Sequence, residues 1–269
     1  MSSPEIPFLI NDDGLPFDDE KLKEVESKLL LLISEDSHVE FSNENTEAIA
    51  KHPSSNILIV SGPGTGKSRL FLDRIKYWLS ADKSADILVT SFVNKLVSDL
   101  ELSIRELPEE YHKRVDVSTV HRLARSIVEK NRGTAEWAFC RHVNVIGQDW
   151  KQVVWSDALA FHDGQLSQPD YPWDTFEGQL FDACCSEDSN WKSLKQTYYE
   201  ICQFYNAAGF ADLILRARAA IRENPGLRKY EYIIIDEFQD FNMAEQLFLN
   251  ELMETAKGTL IVGDDDQVL

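Results

Sequence analysis

Apolar residues along this chain fall into two textures. Five short runs rich in β-branched residues, NILIVSG, DILVTSF, VDVSTV, YIIIDE and TLIVGD, occupy residues 56–62, 86–92, 115–120, 232–237 and 259–264. Continuous apolar runs of this length suit strands buried on both faces of a parallel sheet. The stretches between them carry helical periodicity, so the pattern predicts an α/β fold in which helices cover a parallel sheet. From Val120 to Tyr230 strand-like runs are scarce, and WKSLKQTYYEICQFYNAAGFADLILRARAAIREN reads as two helices around Gly209. The expected architecture is a parallel sheet flanked by helices and interrupted by a mostly helical subdomain.

Ahead of the first run the texture is polar. Pro4, Pro7 and Pro16 predict a loose arm, and DDEKLKEVESKLLLLI predicts a helix from about Asp19 to Ile33, capped by Asp18 or Asp19. The domain reading is an acidic arm and helix over residues 1–40, an α/β domain over 41–125 and 228–269, and a helical insertion over 126–227.

Composition narrows the setting. At 269 residues and 43% hydrophobic, the chain is long enough for a packed core. Its first residues lack the basic and apolar regions of a secretory signal, and no run reaches the length a membrane span needs. The expected location is cytoplasmic, with no membrane contact. Cys140, Cys184, Cys185 and Cys202 form no C-x-x-C pair, so they read as reduced thiols, with a metal site at Cys140 and His142 as the alternative.

The net charge of −19 argues against a chain that holds nucleic acid by overall attraction to phosphate. The distribution changes that picture. Residues 1–50 carry 13 acidic against 3 basic side chains, whereas residues 51–132 carry 14 basic against 10 acidic. Acidity is thus concentrated away from the segment that bears the motifs.

The first motif is ILIVSGPGTGKSRL, a predicted strand, then Gly62, Pro63, Gly64, Thr65, Gly66, Lys67 and Ser68, then a predicted helix. This is the context of a P-loop. Glycines let successive backbone N–H groups turn toward phosphate oxygens, the helix N-terminus adds partial positive charge, and Lys67 adds a full one. Ser68 can offer its hydroxyl to Mg²⁺. Ser61 stands where the strict pattern has its first glycine.

A phosphate loop needs a carboxylate at the end of another buried strand, and YEYIIIDEFQD supplies Asp236 to hold Mg²⁺ and Glu237 to orient or deprotonate the attacking water. GTLIVGDDDQ ends a third strand in Asp264, Asp265, Asp266 and Gln267. A neutral amide there can sense the γ-phosphate, while the three aspartates also read as a solvated acidic turn. The predicted cofactors are ATP and Mg²⁺.

These residues resemble the UvrD/Rep-type superfamily 1 helicases, and the likeness runs from about Phe41 to Leu269. GPGTGKSR is similar to the family's first motif, SFVNK (91–95) to motif Ia, STVH (118–121) to its T-x-H motif, DEFQD to motif II and VGDDDQ to motif III. AAGFADLILRA (207–217) is similar to a segment that precedes motif II. The resemblance implies a RecA-like P-loop domain carrying a helical subdomain. It implies ATP contacts for Lys67, Ser68, Asp236, Glu237 and Gln267, and an adenine-side place for Arg69.

By the same resemblance Phe92, Asn94, Lys95, Thr119 and His121 meet single-stranded DNA, and Gln239 and Asp240 link the two sites. An aromatic such as Phe92 can stack on any base, while Asn94, Lys95 and Thr119 can address phosphates. His121 also has an alternative reading as a hydrogen-bonding residue that only fixes its loop. Asn45, in FSNENTEAI, stands where these helicases carry an adenine-reading glutamine.

The sequence stops just past Gln267 and holds neither the later motifs nor the second RecA-like domain of the family, so weak or no turnover is expected of the chain alone. In the full-length protein the family implies ATP hydrolysis coupled to 3′-to-5′ movement on single-stranded DNA and duplex unwinding. Two other readings compete: a standalone nucleotide-regulated protein that docks a protein partner through its acidic arm, and a nucleotide kinase or other NTPase. The oligomeric state is not encoded in any motif.

Overall fold

The structure is a computed structural model that describes residues 46–53, 55–60, 66–131, 142–162, 172–181, 189–227 and 230–263. The predicted helix at 19–33, Asn45, the loop residues Gly62, Pro63, Gly64 and Thr65, the tip Asp264 to Gln267, and Cys140, Cys184 and Cys185 lie outside the described residues. The chain divides into two compact units. Within the described residues, one comprises 46–120, 230–241 and 249–263, and the other comprises His121–Leu227 and Asn242–Phe248.

The first unit holds a five-stranded sheet. In chain order its elements are α1 (Thr46–Ala50), β1 (Asn56–Val60), α2 (Lys67–Ala81), β2 (Ile87–Ser91), α3 (Asn94–Arg105), α4 (Glu109–His112) and β3 (Val115–Thr119). In the second unit lie α5 (Val120–Lys130), which begins one residue before it, β4 (Asn144–Val145), α6 (Gln148–His162), α7 (Trp173–Phe181), α8 (Ser189–Tyr205), β5 (Ala207–Ala208) and α9 (Phe210–Glu223). The chain then returns through β6 (Tyr232–Asp236), α10 (Met243–Met253) and β7 (Gly258–Gly263).

All five predicted strands form, and they pair in the order β1-β7-β6-β2-β3, parallel throughout. The α/β class read from the apolar runs is the observed one. Burial explains why those runs are continuous: every residue of β2 is buried, and so are Ile233, Ile234 and Ile235 of β6. Strand residues Ile59, Ile87, Val89, Ile234 and Leu260 share one core with Leu70, Phe71, Ile75 and Leu79 of α2 and Val97 and Leu100 of α3. Each such side chain removed from water contributes about 1.5–3 kcal/mol.

Arg74 lies inside this core, 1% exposed. Its guanidinium donates to the carbonyls of Ala50 (3.1 Å) and His52 (2.6 Å), tying the end of α1 to α2. It also lies over the Trp78 ring at 4.6 Å, and Trp78 stacks on Tyr232. Burial lowers its pKa to about 10. Arg74→Met is expected to destabilise the chain by about 2–3 kcal/mol, because two carbonyls lose a charged donor. A urea melt would measure this, and an unchanged midpoint would assign the anchoring of α1 to apolar packing alone.

The second unit is helical, with a core of Trp155, Trp173, Phe176, Trp191, Tyr198 and Ile201 from α6, α7 and α8. The expected helix pair around Gly209 is α8 and α9, with Gly209 as the N-cap of α9. The two-residue parallel pair of β4 with β5 is too short to leave a periodic signal and was not foreseen. Cys202 is a buried free thiol, and among the described residues no group of three or more His, Cys, Asp and Glu side chains is placed to hold a metal ion. His142 Nδ1 stands 2.6 Å from Glu129 Oε1. Among the described residues no helix is long and apolar enough to cross a membrane.

Candidate functional site

Parallel pairing brings the carboxyl ends of the strands to one edge of the sheet. Val60 pairs with Gly263, Ile235 with Ile261, Ser91 with Asp236, and Ser91 on its other side with Thr119. In an open parallel sheet this edge is where ligands bind, because the loops and helix N-termini that follow the strands collect there.

Lys67 is the first residue of α2. Gly66 before it has φ 86°, a left-handed conformation that glycine adopts without steric cost, and no side chain caps the helix. The N–H groups of Arg69 and Leu70 bond to the Gly66 carbonyl, and the helix end places its partial positive charge at Lys67 and Ser68. Ser68 and Arg69 are exposed on the same turn, and Arg69 pairs at 3.7 Å with Asp73.

From the end of β6, across 170 residues of sequence, Glu237 reaches Lys67. The Lys67 ammonium donates to Glu237 Oε1 at 3.1 Å, with both side chains largely buried. Glu237 has φ 50° and ψ 49°, a left-handed conformation for a residue with a Cβ, which costs on the order of 1 kcal/mol. Its second oxygen, Oε2, accepts from Gln239 Nε2 at 2.8 Å. Gln239 in turn lies against the end of β7: a Cβ on Gly263 would stand 3.0 Å from Gln239 Oε1, so a larger residue there would press on the amide.

Asp236 sits beside this pair and is 2% exposed. Burial first, and the neighbouring Glu237 carboxylate second, raise its pKa to about 6, against the opposing pull of Lys67, the Glu237 backbone and the Ser91 hydroxyl. Its Oδ1 is buried without a hydrogen-bond partner. A buried carboxylate oxygen lacking a partner, next to a second carboxylate and an open helix end, is a donor set suited to a hard divalent cation. Ser68, at the start of α2, is the hydroxyl that could complete it. Burial likewise raises the pKa of Asp240.

The residues read as meeting a nucleic acid strand lie in both units. Phe92 follows β2, half exposed, with its ring edge on that of buried Phe241 at 6.2 Å. Asn94 and Lys95 open α3 and are exposed, and Thr119 ends β3, partly buried. His121, on the first turn of α5, belongs to the helical unit. About a quarter of its side chain is accessible, its ring meets that of Phe210 edge-on at 5.1 Å, and its Nε2 stands 3.5 Å from Glu245 Oε1. Glu245 was not singled out from the sequence, although Asn242-x-x-Glu245 has the spacing of a capping box.

The UvrD/REP helicase N-terminal domain profile matches residues 42–269. The chain is 25% identical over 247 residues to DNA helicase II of Salmonella typhimurium, and likewise to that of Escherichia coli, covering 84% of this chain and 34% of each relative. It is 24% identical to DNA helicase II of Rickettsia typhi, covering 84% of this chain and 37% of that protein. The chain thus spans about a third of the length of these relatives.

Proposed function

The chain belongs to the UvrD/REP helicase N-terminal domain family, and we propose that it is the nucleotide-binding first portion of a DNA helicase motor, taking ATP with Mg²⁺ and single-stranded DNA. The observation that carries this is the meeting of Lys67 with Glu237 beside the partnerless oxygen of buried Asp236. A lysine at an uncapped helix start and two carboxylates at a strand end supply the opposite charges that a metal–triphosphate requires.

In this reading Lys67 exchanges Glu237 for phosphate oxygens when nucleotide arrives. The N–H groups of Gly62, Pro63–Thr65 and Gly66 bind phosphate as far as each residue has a donor, proline having none. Ser68 and Asp236 hold Mg²⁺, which neutralises phosphate charge when bound. Glu237, released from Lys67 and still steadied by Gln239, aligns the attacking water as general base. Gln267, beyond β7, senses the γ-phosphate, while Arg69 and Asn45 take the adenine side.

Phe92, Asn94, Lys95, Thr119 and His121 form the strand-binding set. In the complete protein, hydrolysis would drive 3′-to-5′ movement along the strand and duplex unwinding, with a second RecA-like domain closing on the nucleotide. The chain alone is expected to bind nucleotide with little turnover, since charge supplied from a second domain is worth about 10³–10⁵ in rate in related NTPases.

The strand-binding part is tested at Phe92, which offers an exposed ring supported from behind by Phe241. Phe92→Ala should weaken binding of a fluorescent single-stranded oligonucleotide by about 1–3 kcal/mol and leave ATP affinity unchanged. Equal strand affinity in the variant would remove Phe92 from the strand path.

A further inference from the structure

His121 and Glu245 present an arrangement that folding alone does not require. Glu245 is 1% exposed. Its Oε2 accepts from the Asn242 N–H at 3.0 Å, and its own N–H donates to Asn242 Oδ1 at 3.1 Å, the reciprocal bonds of a capping box at the start of α10. One carboxylate oxygen completes that box. The other, Oε1, is buried, has no hydrogen-bond partner, and faces His121 Nε2, which is also buried and without one. Among the described residues no further charged group acts on either side chain, and the Phe210 ring stands edge-on beside His121.

A neutral glutamine could make the same capping bonds. The carboxylate adds a negative charge directed at an imidazole, in a place where burial disfavours charge on either partner. Two groups held close and left unbonded suggest a contact completed in another state of the protein. A carboxylate behind a histidine orients the ring and raises the basicity of its far nitrogen, so that the ring can carry positive charge toward an anion.

On the strand-binding role given to the chain above, we propose that Glu245 is a positioning residue that holds His121 to accept a proton when a backbone phosphate of single-stranded DNA arrives at the accessible part of its ring. The proton comes from solvent. The resulting imidazolium has one N–H for Glu245 Oε1 and one for the phosphate, so binding takes up one proton. Strand affinity then rises as pH falls through the titration range of histidine, and this increment depends on the charge of Glu245.

The test is a titration of fluorescent oligo-dT against the wild-type chain, Glu245→Gln and His121→Ala between about pH 6 and pH 8.5. Glutamine preserves the capping box, and a thermal melt checks that the variant is folded. Wild type should bind more tightly at the lower pH. Glu245→Gln and His121→Ala should both lose that gain, about tenfold at the acidic end for a one-unit change in histidine pKa. An NMR titration should show the His121 midpoint rising on strand binding in wild type and staying put in Glu245→Gln. A Glu245→Gln chain with the wild-type pH profile overturns the role of Glu245 while leaving strand binding intact. A wild-type chain that binds no strand at any pH overturns both this role and the strand-binding role beneath it.

Discussion

Replacing Lys67 by alanine is expected to weaken ATP binding by roughly a hundredfold or more, a loss of about 3 kcal/mol for a charge-assisted bond to phosphate. Lys67 is the only one of the proposed phosphate-binding residues with a mobile full charge, and its ammonium is held at the strand ends by Glu237. Removing it also leaves Glu237 and Asp236 adjacent without a cation, so the variant opposes an anionic ligand twice over. Calorimetric titration with Mg·ATP reads the effect directly. An affinity within a few-fold of wild type would place the nucleotide elsewhere.

Asp236→Asn should act in the opposite sense on stability. Because burial and Glu237 raise the Asp236 pKa from 3.8 to about 6, the folded chain retains a proton at pH values where the unfolded chain has released it. Stability is therefore lost as pH rises from about 4 to about 6, and the full penalty, about 3 kcal/mol for a shift of roughly two units, stands at neutral pH. Asparagine carries no such penalty and can still accept from Ser91. The metal-free variant is expected to be about 3 kcal/mol more stable than wild type at pH 7, with the gap closing toward pH 4, and to lose the Mg²⁺ dependence of nucleotide binding. Chemical denaturation at several pH values would measure it. A variant less stable than wild type at pH 7 would mean that Asp236 is satisfied without a metal.

That stability is lower with the native residue follows from the site's demands. A carboxylate buried for a cation is destabilising until the cation binds, and such positions commonly trade stability for function. The strained backbone of Glu237 belongs to the same pattern: the left-handed turn directly after β6 accompanies the reach of its side chain to Lys67.

Much of this was legible in the sequence, for identifiable reasons. Strands buried on both faces leave continuous apolar runs, so NILIV, ILVTS, VDVST, YIIID and GTLIVG announced the sheet. The left-handed Gly66 and the helix after it follow from the spacing of glycine, lysine and serine. Pairings between distant side chains leave no comparable mark. Nothing in DEFQD says that Glu237 bonds Lys67, that Gln239 steadies Glu237, or that Gln239 packs against Gly263.

His121 shows the same limit. The STVH run set it near a strand-binding surface or in a loop-fixing role, but its depth, its Phe210 neighbour and its unbonded approach to Glu245 depend on how α5, α9 and the start of α10 pack within the helical unit. The capping-box spacing at Asn242 was the one local signal that could have drawn attention to Glu245, and it fixes only one of the two carboxylate oxygens.

The convergence of Lys67, Asp236 and the residues beyond β7 on one metal–nucleotide is tested most directly by a crystal structure of the chain grown with Mg²⁺ and a non-hydrolysable ATP analogue. The account predicts phosphate oxygens on Lys67 Nζ, Mg²⁺ on the Asp236 and Ser68 side, the Lys67–Glu237 bond open, and Gln267 facing the terminal phosphate. Nucleotide bound away from the strand ends, or bound there with Lys67 still on Glu237 and Asp236 without a metal, would contradict it.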